Sequence, residues 1–184
     1  KKDDVFIYDE LIHASLHDGM RLSHAAYYKF KHNDLHDLER LLTANKAGGN
    51  IYVVLESVYS MDGDSAPLAA IAQLKKKYPF QLIVDEAHAT GVFGDKGKGL
   101  CNAVDLEKES FARIYTFGKA LGVHGAVVVG DQLLKEYLIN FSRSFIYTTA
   151  LSPHSYSSID AAYDLLDKTD EIKKLIIQIE KASF

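Results

Sequence analysis

The sequence predicts an α/β fold with a mainly parallel sheet, and two observations lead to that prediction. Short runs of apolar, β-branched and aromatic residues recur along the chain, and amphipathic segments of helical length separate them. Strands that alternate with helices form a mainly parallel sheet covered on both faces, a three-layer αβα arrangement. The second observation is that apolar runs end on polar residues, as the run before Asp85 does. Such residues are expected at the carboxyl edge of the sheet, where α/β folds build their sites.

The first half of the chain supplies three strands and three helices. The strands are predicted over residues 5–8, 25–30 and 51–55, where apolar and aromatic side chains are dense. Asp9 is expected to cap a helix over residues 10–19, which Gly19 closes. Leucines at amphipathic spacing predict a second helix over residues 35–47, and Pro67 begins a third.

The second half continues the alternation of strands and helices. Strands are predicted over residues 80–84, 113–116 and 126–129. Asp131 is expected to cap a helix that ends near residue 140, and residues 144–148 are expected to be extended. Pro153 begins a last helix that continues past Asp167. Because no repeat or linker interrupts the series, residues 1–184 are expected to form a single domain.

Composition excludes several classes of function. The formal net charge is −4, whereas nucleic-acid-binding proteins usually carry a basic excess. A single cysteine, Cys101, allows neither a disulfide framework nor a cysteine-rich metal site. Because there is no apolar run long enough to cross a bilayer and no signal peptide at the start, we expect a cytoplasmic protein without nucleic-acid or membrane partners. The sequence begins without methionine, directly before a strand-like run, and is expected to be part of a longer chain.

Three polar residues at strand ends are the candidates for chemistry: Asp85, His88 and Lys119. Small and apolar neighbours of Lys119 predict a lysine withdrawn from solvent, and a buried lysine requires a partner or a function. One such function is a Schiff base to a carbonyl cofactor. Asp85, on a neighbouring strand, could then face the pyridinium nitrogen of pyridoxal phosphate. The alternatives are a surface lysine on a turn and, for His88, a hydrogen-bonded core histidine.

The residues DEAH at positions 85–88 also match a helicase-type motif for ATP hydrolysis, which requires a P-loop. Gly118-Lys119 is the candidate with the right strand context, but it lacks the other P-loop residues. Arg113 occupies the position five residues before Gly118 where glycine is needed, and Ala120 replaces the serine or threonine. The sequence therefore argues against nucleotide hydrolysis.

The glycines that follow this motif do not form a dinucleotide-binding fingerprint. Gly91, Gly94, Gly97 and Gly99 lack the G-x-G-x-x-G spacing, and charged residues occupy the loop between them. Asp85 and His88 as metal ligands would need further ligands that the spacing does not supply. No metal is therefore expected.

Five motifs in order carry a resemblance to a known family. They are HAS at residues 13–15, HND at 32–34, ESVYSMDGDSAPL at 56–68, DEAHATG at 85–91 and TFGK at 116–119. Together they resemble the α-oxoamine synthases, which are pyridoxal-phosphate enzymes of aminotransferase fold type I. The similarity extends from about residue 5 to about residue 167, nearly the whole chain.

The resemblance implies a role for each matching residue. Lys119 would form the Schiff base with pyridoxal 5'-phosphate and then take the α-proton of the bound amino acid. Asp85 would pair with the pyridinium nitrogen of the cofactor. His88 and Ser60 would hydrogen-bond its phenolic oxygen, and Thr116 would hold it near the phosphate.

The remaining implied roles concern the edges of the site. His13 would stack on the cofactor ring, and Glu56 resembles a family acid near the cofactor whose role stays open. Thr148 or Thr149 resembles the segment that reaches the phosphate of a neighbouring subunit, which implies a homodimer with shared active sites. His124 has no implied role.

The family reaction joins an amino acid to an acyl-CoA with loss of coenzyme A and carbon dioxide, and it gives an aminoketone. The resemblance further implies that this chain is the central, cofactor-binding part of the large domain. The N-terminal segment and the C-terminal small domain of the family are absent, so activity of this part by itself is in doubt. A non-catalytic subunit that retains the fold is the alternative from another class, and the presence of Lys119 argues against it.

Overall fold

The structure, a computed structural model, describes residues 1–45 and 48–168. Its centre is one six-stranded sheet with the strand order β2-β1-β3-β4-β5-β6. The strands are β1 (Val5–Asp9), β2 (Ala26–Phe30), β3 (Ile51–Glu56), β4 (Gln81–Asp85), β5 (Ala112–Thr116) and β6 (Ala126–Gly130). All pairs are parallel except β5 and β6, which are antiparallel. The predicted, mainly parallel sheet is confirmed.

Helices connect the strands and pack on the sheet. They are α1 (Ala14–Arg21), α2 (Leu35–Ala44), α3 (Leu68–Lys77), α4 (Leu100–Ala103), α5 (Gln132–Phe141), α6 (Arg143–Ile146) and α7 (Pro153–Lys168). A single turn of 3₁₀-helix, Asp95–Gly97, lies in the loop between β4 and α4. Within the described ranges, no helix has the length and apolar character needed to cross a membrane.

Alternation along the strands divides the apolar side chains between the two faces of the sheet. One face carries Ile7, Leu55 and Val84, and the leucines and isoleucine of α2 and α3 pack on it in the larger core. The opposite face carries Val54 and Ile83, on which α1 packs. Helices therefore lie on both faces, which confirms the three-layer αβα arrangement.

The first helix differs from its prediction at both ends. It begins at Ala14 with His13 as its N-cap, and it continues through Gly19 to Arg21. Asp9 does not cap it, because this residue ends β1 and its carboxylate accepts hydrogen bonds from Leu11 N and from two residues of the β2–α2 turn. A negative side chain next to a helical segment was therefore a misleading signal for the helix start.

Residues 144–148, expected to be extended, are also different in the structure. Their first part belongs to α6, because the N–H groups of Phe145 and Ile146 bond to Ser142 O and close a helical turn. Aromatic and β-branched residues favour strands only where a neighbouring strand can pair with them. The last residues predicted for α2, Lys46 and Ala47, lie outside the described residues. The final helix, α7, extends past Asp167 as predicted.

Candidate functional site

Two buried carboxylates lie side by side at the carboxyl edge of the sheet. Glu56 ends β3, Asp85 ends β4, and the parallel register pairs these two residues directly. Because side chains alternate along a strand, both lie on the face that carries Val54 and Ile83. They are 2% and 6% exposed, respectively. Acidic side chains are rarely buried so deeply without hydrogen-bond or charge partners, so the partners of this pair are informative.

The pKa shifts and hydrogen bonds of Glu56 and Asp85 show that this pair is short of hydrogen-bond donors. Burial raises the pKa of Glu56, and the neighbouring charge of Asp85 raises it further, while His13 and Lys119 act against that shift. Burial also raises the pKa of Asp85. The N–H group of Ala87 donates to Oδ1 at 2.9 Å and opposes this rise. No described residue donates a hydrogen bond to the buried Glu56 Oε1. A hydrogen-bond donor or a cation would therefore be stabilised at this edge.

Lys119 lies in the loop that joins the antiparallel strands β5 and β6. Its side chain is exposed, so the expectation that its small and apolar neighbours withdraw it from solvent is wrong for the described chain. Its neighbours Gly118 and Ala120 are exposed as well, so these small residues do not cover the lysine. Nonetheless the positive charge of Lys119 lowers the pKa values of Glu56, Asp85 and His88, which puts its amine within electrostatic reach of all three.

A glycine fixes the separation between the lysine loop and the loop after β4. Gly91 has a positive φ of +77°, which a residue with a side chain rarely adopts. A Cβ placed on it would lie 2.5 Å from Ala120 Cβ, far inside van der Waals contact. The segment that carries Lys119 can therefore approach the segment that carries His88 only because residue 91 is glycine.

Two histidines border the carboxylates. His88 is partly buried in the turn after β4; burial lowers its pKa, the charge of Lys119 lowers it further, and Asp85 opposes the shift. A neutral imidazole is therefore favoured there, with one donor and one acceptor nitrogen. His13 is exposed at the start of α1, where its Nδ1 lies 2.8 Å from Ser15 Oγ and accepts from Ser15 N at 3.3 Å.

The other predicted site residues differ in how near they lie to Glu56 and Asp85. Thr116 ends β5 on the same face as Ile114, the residue paired with Asp85, and its buried Oγ1 has no partner among the described residues. Ser60 is exposed in the turn after β3. Thr148 and Thr149 are exposed after α6, and no interaction found among the described residues joins them to the carboxylates.

Sequence reasoning missed the functions of two polar residues near this edge. Glu86 is fully buried on the opposite face, where it accepts hydrogen bonds from Ser57 Oγ and from two N–H groups at the start of α4. His32 bonds to Asp9 and to Asp64, which joins three loops. The sequence offered one signal for each: the position of Glu86 directly after Asp85, and the HND motif at residues 32–34.

Comparisons with known proteins agree on one family. The model of the aminotransferase class I and II family matches residues 1–182. A relative from Emericella nidulans named 8-amino-7-oxononanoate synthase is 44% identical over 96% of this chain and 46% of its own length. A relative of the same name from Geobacter sulfurreducens is 42% identical over 92% of this chain and 43% of its own length. The chain thus spans less than half the length of these relatives.

Solved structures give the same picture. Serine palmitoyltransferase from Sphingomonas wittichii matches with a TM-score of 0.85 and 34% identity, over 90% of this chain and 42% of that one. 8-Amino-7-oxononanoate synthase from Francisella tularensis matches with a TM-score of 0.78 and 34% identity, over 93% and 49%. A structure of SPT with PLP has a TM-score of 0.84 and 34% identity, over 90% and 42%.

Pyridoxal phosphate (PLP) is therefore the cofactor whose fit to these residues matters. The buried carboxylate of Asp85 suits a protonated ring nitrogen, and the neutral imidazole of His88 can share a hydrogen bond with a phenolic oxygen. The unpartnered atoms Glu56 Oε1 and Thr116 Oγ1 point to polar groups that the described residues do not supply. An exposed lysine amine within electrostatic reach of these acids can bind an aldehyde. The residues present fit the cofactor.

Proposed function

The chain belongs to the aminotransferase class I and II family, with α-oxoamine synthases as its relatives, and we propose that it forms the PLP site of an acyltransferase. The whole protein would condense an amino acid with an acyl thioester and release carbon dioxide to give an aminoketone. The most specific form of the proposal is 8-amino-7-oxononanoate synthase, which uses L-alanine and a pimeloyl thioester in biotin biosynthesis. The names of the curated relatives support this choice, as does the run SMDGDSAPL at residues 60–68, which reads closest to that member.

One observation carries the proposal. Glu56 and Asp85 are paired, buried carboxylates, and the amine of Lys119 lies within their electrostatic reach. A buried carboxylate with an unpartnered oxygen is costly, by about 1–3 kcal/mol or more. A protein would retain this arrangement where a bound group supplies the missing donor or charge, and a protonated pyridine ring does so for Asp85.

Several residues would hold the cofactor. Lys119 would bind it covalently through Nζ, and Asp85 would hydrogen-bond the protonated ring nitrogen. Ser60 and the neutral His88 would face its phenolic oxygen, Thr116 would lie near its phosphate, and His13 would contact the ring face. When bound, PLP withdraws electrons from the α-carbon of an amino acid and so makes its proton acidic.

The protein's own residues then govern the transfer of that proton. Lys119 Nζ would be the base that takes the proton from the α-carbon and later returns one. Burial raises the pKa values of the neighbouring Glu56 and Asp85, and a cation bound beside them would favour their ionised forms. His88 stays neutral beside Lys119, so it can donate a hydrogen bond without adding a positive charge to the site.

We also propose a cytoplasmic homodimer with shared active sites. Thr148 and Thr149 are exposed after α6, so their hydroxyl groups are free to reach another molecule. In this proposal, one of them contacts the cofactor phosphate of the neighbouring subunit. Analytical ultracentrifugation of the full-length protein would test the dimer; a monomer at working concentration would contradict it.

The substrate assignment is tested by assaying the full-length protein for release of coenzyme A with three substrate pairs. L-Alanine with pimeloyl-CoA should give the highest kcat/KM, ahead of glycine with acetyl-CoA and L-serine with palmitoyl-CoA. Lys119→Ala should abolish this turnover, and Lys98→Ala, a change at another exposed lysine, should leave it intact. Absence of turnover with alanine and pimeloyl-CoA would contradict the assignment.

The structural neighbours favour a second candidate in the same class. Serine palmitoyltransferase matches this chain with the higher TM-score, although its sequence is less similar than those of the curated relatives. A preference for serine and palmitoyl-CoA in the same assay would support that candidate, and one for glycine and acetyl-CoA would indicate a 2-amino-3-ketobutyrate CoA ligase. A full-length protein whose absorbance spectrum does not change with PLP would instead indicate a non-catalytic subunit.

A further inference from the structure

His32 joins three loops at the carboxyl edge of the sheet. It follows β2, and its Nδ1 lies 2.9 Å from Asp9 Oδ1 at the end of β1. Its Nε2 lies 2.8 Å from Asp64 Oδ2, in the turn that follows β3. Because ionised carboxylates accept but cannot donate hydrogen bonds, both ring nitrogens must donate. The geometry therefore fits an imidazolium between two carboxylates, with Asn33 Nδ2 also 3.2 Å from Nε2.

The charges around His32 favour that protonated form. Burial lowers the pKa of His32, but the hydrogen bonds to Asp9 and Asp64 outweigh it, and the pKa lies above its usual value. Two further acids approach the same residue. Glu10 Oε1 accepts from His32 N at 3.1 Å, and Asp62 has a carboxylate oxygen within 4.8 Å of the His32 and Asp64 ligand atoms. These acids favour the protonated imidazole, and Lys29 Nζ, 3.8 Å from Glu10 Oε2, offsets part of their charge.

The β1 end of this contact is firmly held. Asp9 is fully buried, and it also accepts hydrogen bonds from Leu11 N at 2.9 Å and Asn33 N at 2.8 Å. The ring of Tyr59 packs edge-on against His32, with 4.5 Å between ring centroids. Asp9 therefore serves as a fixed anchor for His32, four residues before His13 and the start of α1.

The other end of the contact is the turn over residues 59–64, which begins at the buried Tyr59 and is flanked by the Val58–Ser65 bridge. The turn over residues 59–64 is closed by Tyr59 N donating to Asp64 O at 2.9 Å and by Gly63 N donating to Tyr59 O at 3.0 Å. Outside the turn, Asp64 Oδ2 accepts from His32 and from Asn33 Nδ2, the latter at 2.8 Å. This turn carries the exposed Ser60, so the side-chain contacts of Asp64, together with the burial of Tyr59, help to fix where Ser60 lies.

We propose that His32 is a positioning residue, which ties the turn that carries Ser60 to the loop that leads to His13 through its bonds to Asp64 and Asp9. It does not touch the cofactor itself. The inference rests on the proposed function, because Ser60 matters only as a contact of bound PLP. The residues that hold His32 in place make it a rigid link between two sides of the site.

The first test uses the full-length protein without cofactor. His32→Gln should accelerate hydrogen exchange of the Tyr59 and Gly63 amides about tenfold, because the turn loses a charge-assisted bond. The matched control His36→Gln changes an exposed histidine on α2 and should leave these amides unchanged. Unchanged exchange at Tyr59 and Gly63 in His32→Gln would overturn the proposal. Faster exchange of the Leu55 amide in β3 as well would mean that His32→Gln destabilises the sheet. In that case Asp64→Asn, a milder change at the exposed end of the contact, is measured instead, and unchanged exchange at Tyr59 and Gly63 would overturn the proposal.

The second test separates positioning from general stability by means of a double-mutant cycle on PLP affinity, measured by absorbance titration of the full-length protein. His32→Gln should raise the Kd for PLP about tenfold in the natural background and leave it unchanged in a Ser60→Ala background. An equal effect in both backgrounds would overturn the proposal, as would a Ser60→Ala variant that binds PLP as tightly as the natural protein. A natural protein that binds no PLP would refute the proposed function instead, and the exchange measurement on the turn would still decide the link through His32.

Discussion

Asp85 and Glu86 are adjacent acids at the end of the same strand, yet the protein uses them in opposite ways. Asp85 lies on the face of α1 beside Glu56, where burial raises its pKa and Ala87 N donates to one of its oxygens. Glu86 lies beyond the strand on the other face and is 0% exposed. It accepts three hydrogen bonds, from Ser57 Oγ at 2.7 Å, Leu100 N at 2.9 Å and Cys101 N at 2.7 Å.

The difference fits a structural role for Glu86 and the role in cofactor binding that we propose for Asp85. Glu86 has its donors within the chain, and Gly99 is part of that arrangement, because a Cβ there would lie 2.7 Å from Glu86 Oε2. Asp85 and Glu56 are not satisfied in this way, and Glu56 Oε1 has no partner among the described residues. A buried acid that the protein stabilises fully belongs to the fold, whereas one left short of donors indicates a bound group.

The largest expected effect is on Asp85. Asp85→Asn should lower kcat/KM of the full-length protein about a thousandfold, because an amide cannot stabilise a positive charge on the cofactor ring. The same change should raise the apo-protein's free energy of unfolding by about 1 kcal/mol, since it removes a buried charge that burial disfavours. Steady-state kinetics and denaturant unfolding measure the two effects. A loss of stability together with the loss of activity would contradict the assignment of Asp85 as a site acid.

Glu86 should respond in the reverse manner. Glu86→Gln puts an amide N–H against the donors of α4, and the free energy of unfolding should fall by about 3 kcal/mol. The kcat of the folded fraction should change by less than about twofold, because Glu86 lies on the opposite face from Glu56 and Asp85. Chemical denaturation monitored by circular dichroism measures the first effect. A stable but inactive Glu86→Gln variant would reverse the roles assigned to the two acids.

The pH dependence of stability tests whether Glu56, like Asp85, is a buried acid short of partners. Its pKa is raised in the folded state, so its ionisation disfavours folding once the pH exceeds the ordinary glutamate value of 4.5. Glu56→Gln should therefore stabilise the apo-protein by about 1 kcal/mol at neutral pH. The gain should disappear as the pH falls to 4.5. Thermal unfolding between pH 4 and pH 8 measures this trend. If Glu56→Gln still stabilises the protein near pH 4, the effect does not come from the charge of Glu56.

The smallest expected effect concerns His32, whose pKa shift has the opposite consequence. A histidine with a raised pKa in the folded state stabilises folding fully below the ordinary value of 6.5, and loses that effect as the pH rises through its folded-state pKa. His32→Gln should cost up to about 1 kcal/mol below pH 6.5 and progressively less above it. The same thermal scans measure it, with His36→Gln as the control. A cost that grows with pH would contradict the imidazolium between Asp9 and Asp64.

Much of the fold and part of the site could be predicted from the sequence because the relevant signals are local. The apolar runs that end at Glu56 and Asp85 identified β3 and β4 and placed two acids at one edge of the sheet. Asp131 and Pro153 likewise marked the starts of α5 and α7.

The failures of sequence reasoning involve contacts between distant residues. Asp9 looked like a helix cap, but its carboxylate is used by His32, 23 residues away. Glu86 looked like part of a motif, but its partners lie 14 and 15 residues further along the chain and 29 residues before it. Small neighbours suggested a buried Lys119, whereas the exposure of that loop depends on what packs over it, which local sequence does not specify.

In the function proposed above, PLP lies at the edge formed by Glu56 and Asp85 and is bound through Lys119. This binding is tested most directly by treating the full-length protein with PLP, then with borohydride, and mapping the modified lysine by mass spectrometry of its peptides. We expect one pyridoxyl-phosphate group, on the peptide that contains Lys119, and we expect it to be lost in Lys119→Ala but not in Lys98→Ala. Modification at another lysine, or at none, would contradict it.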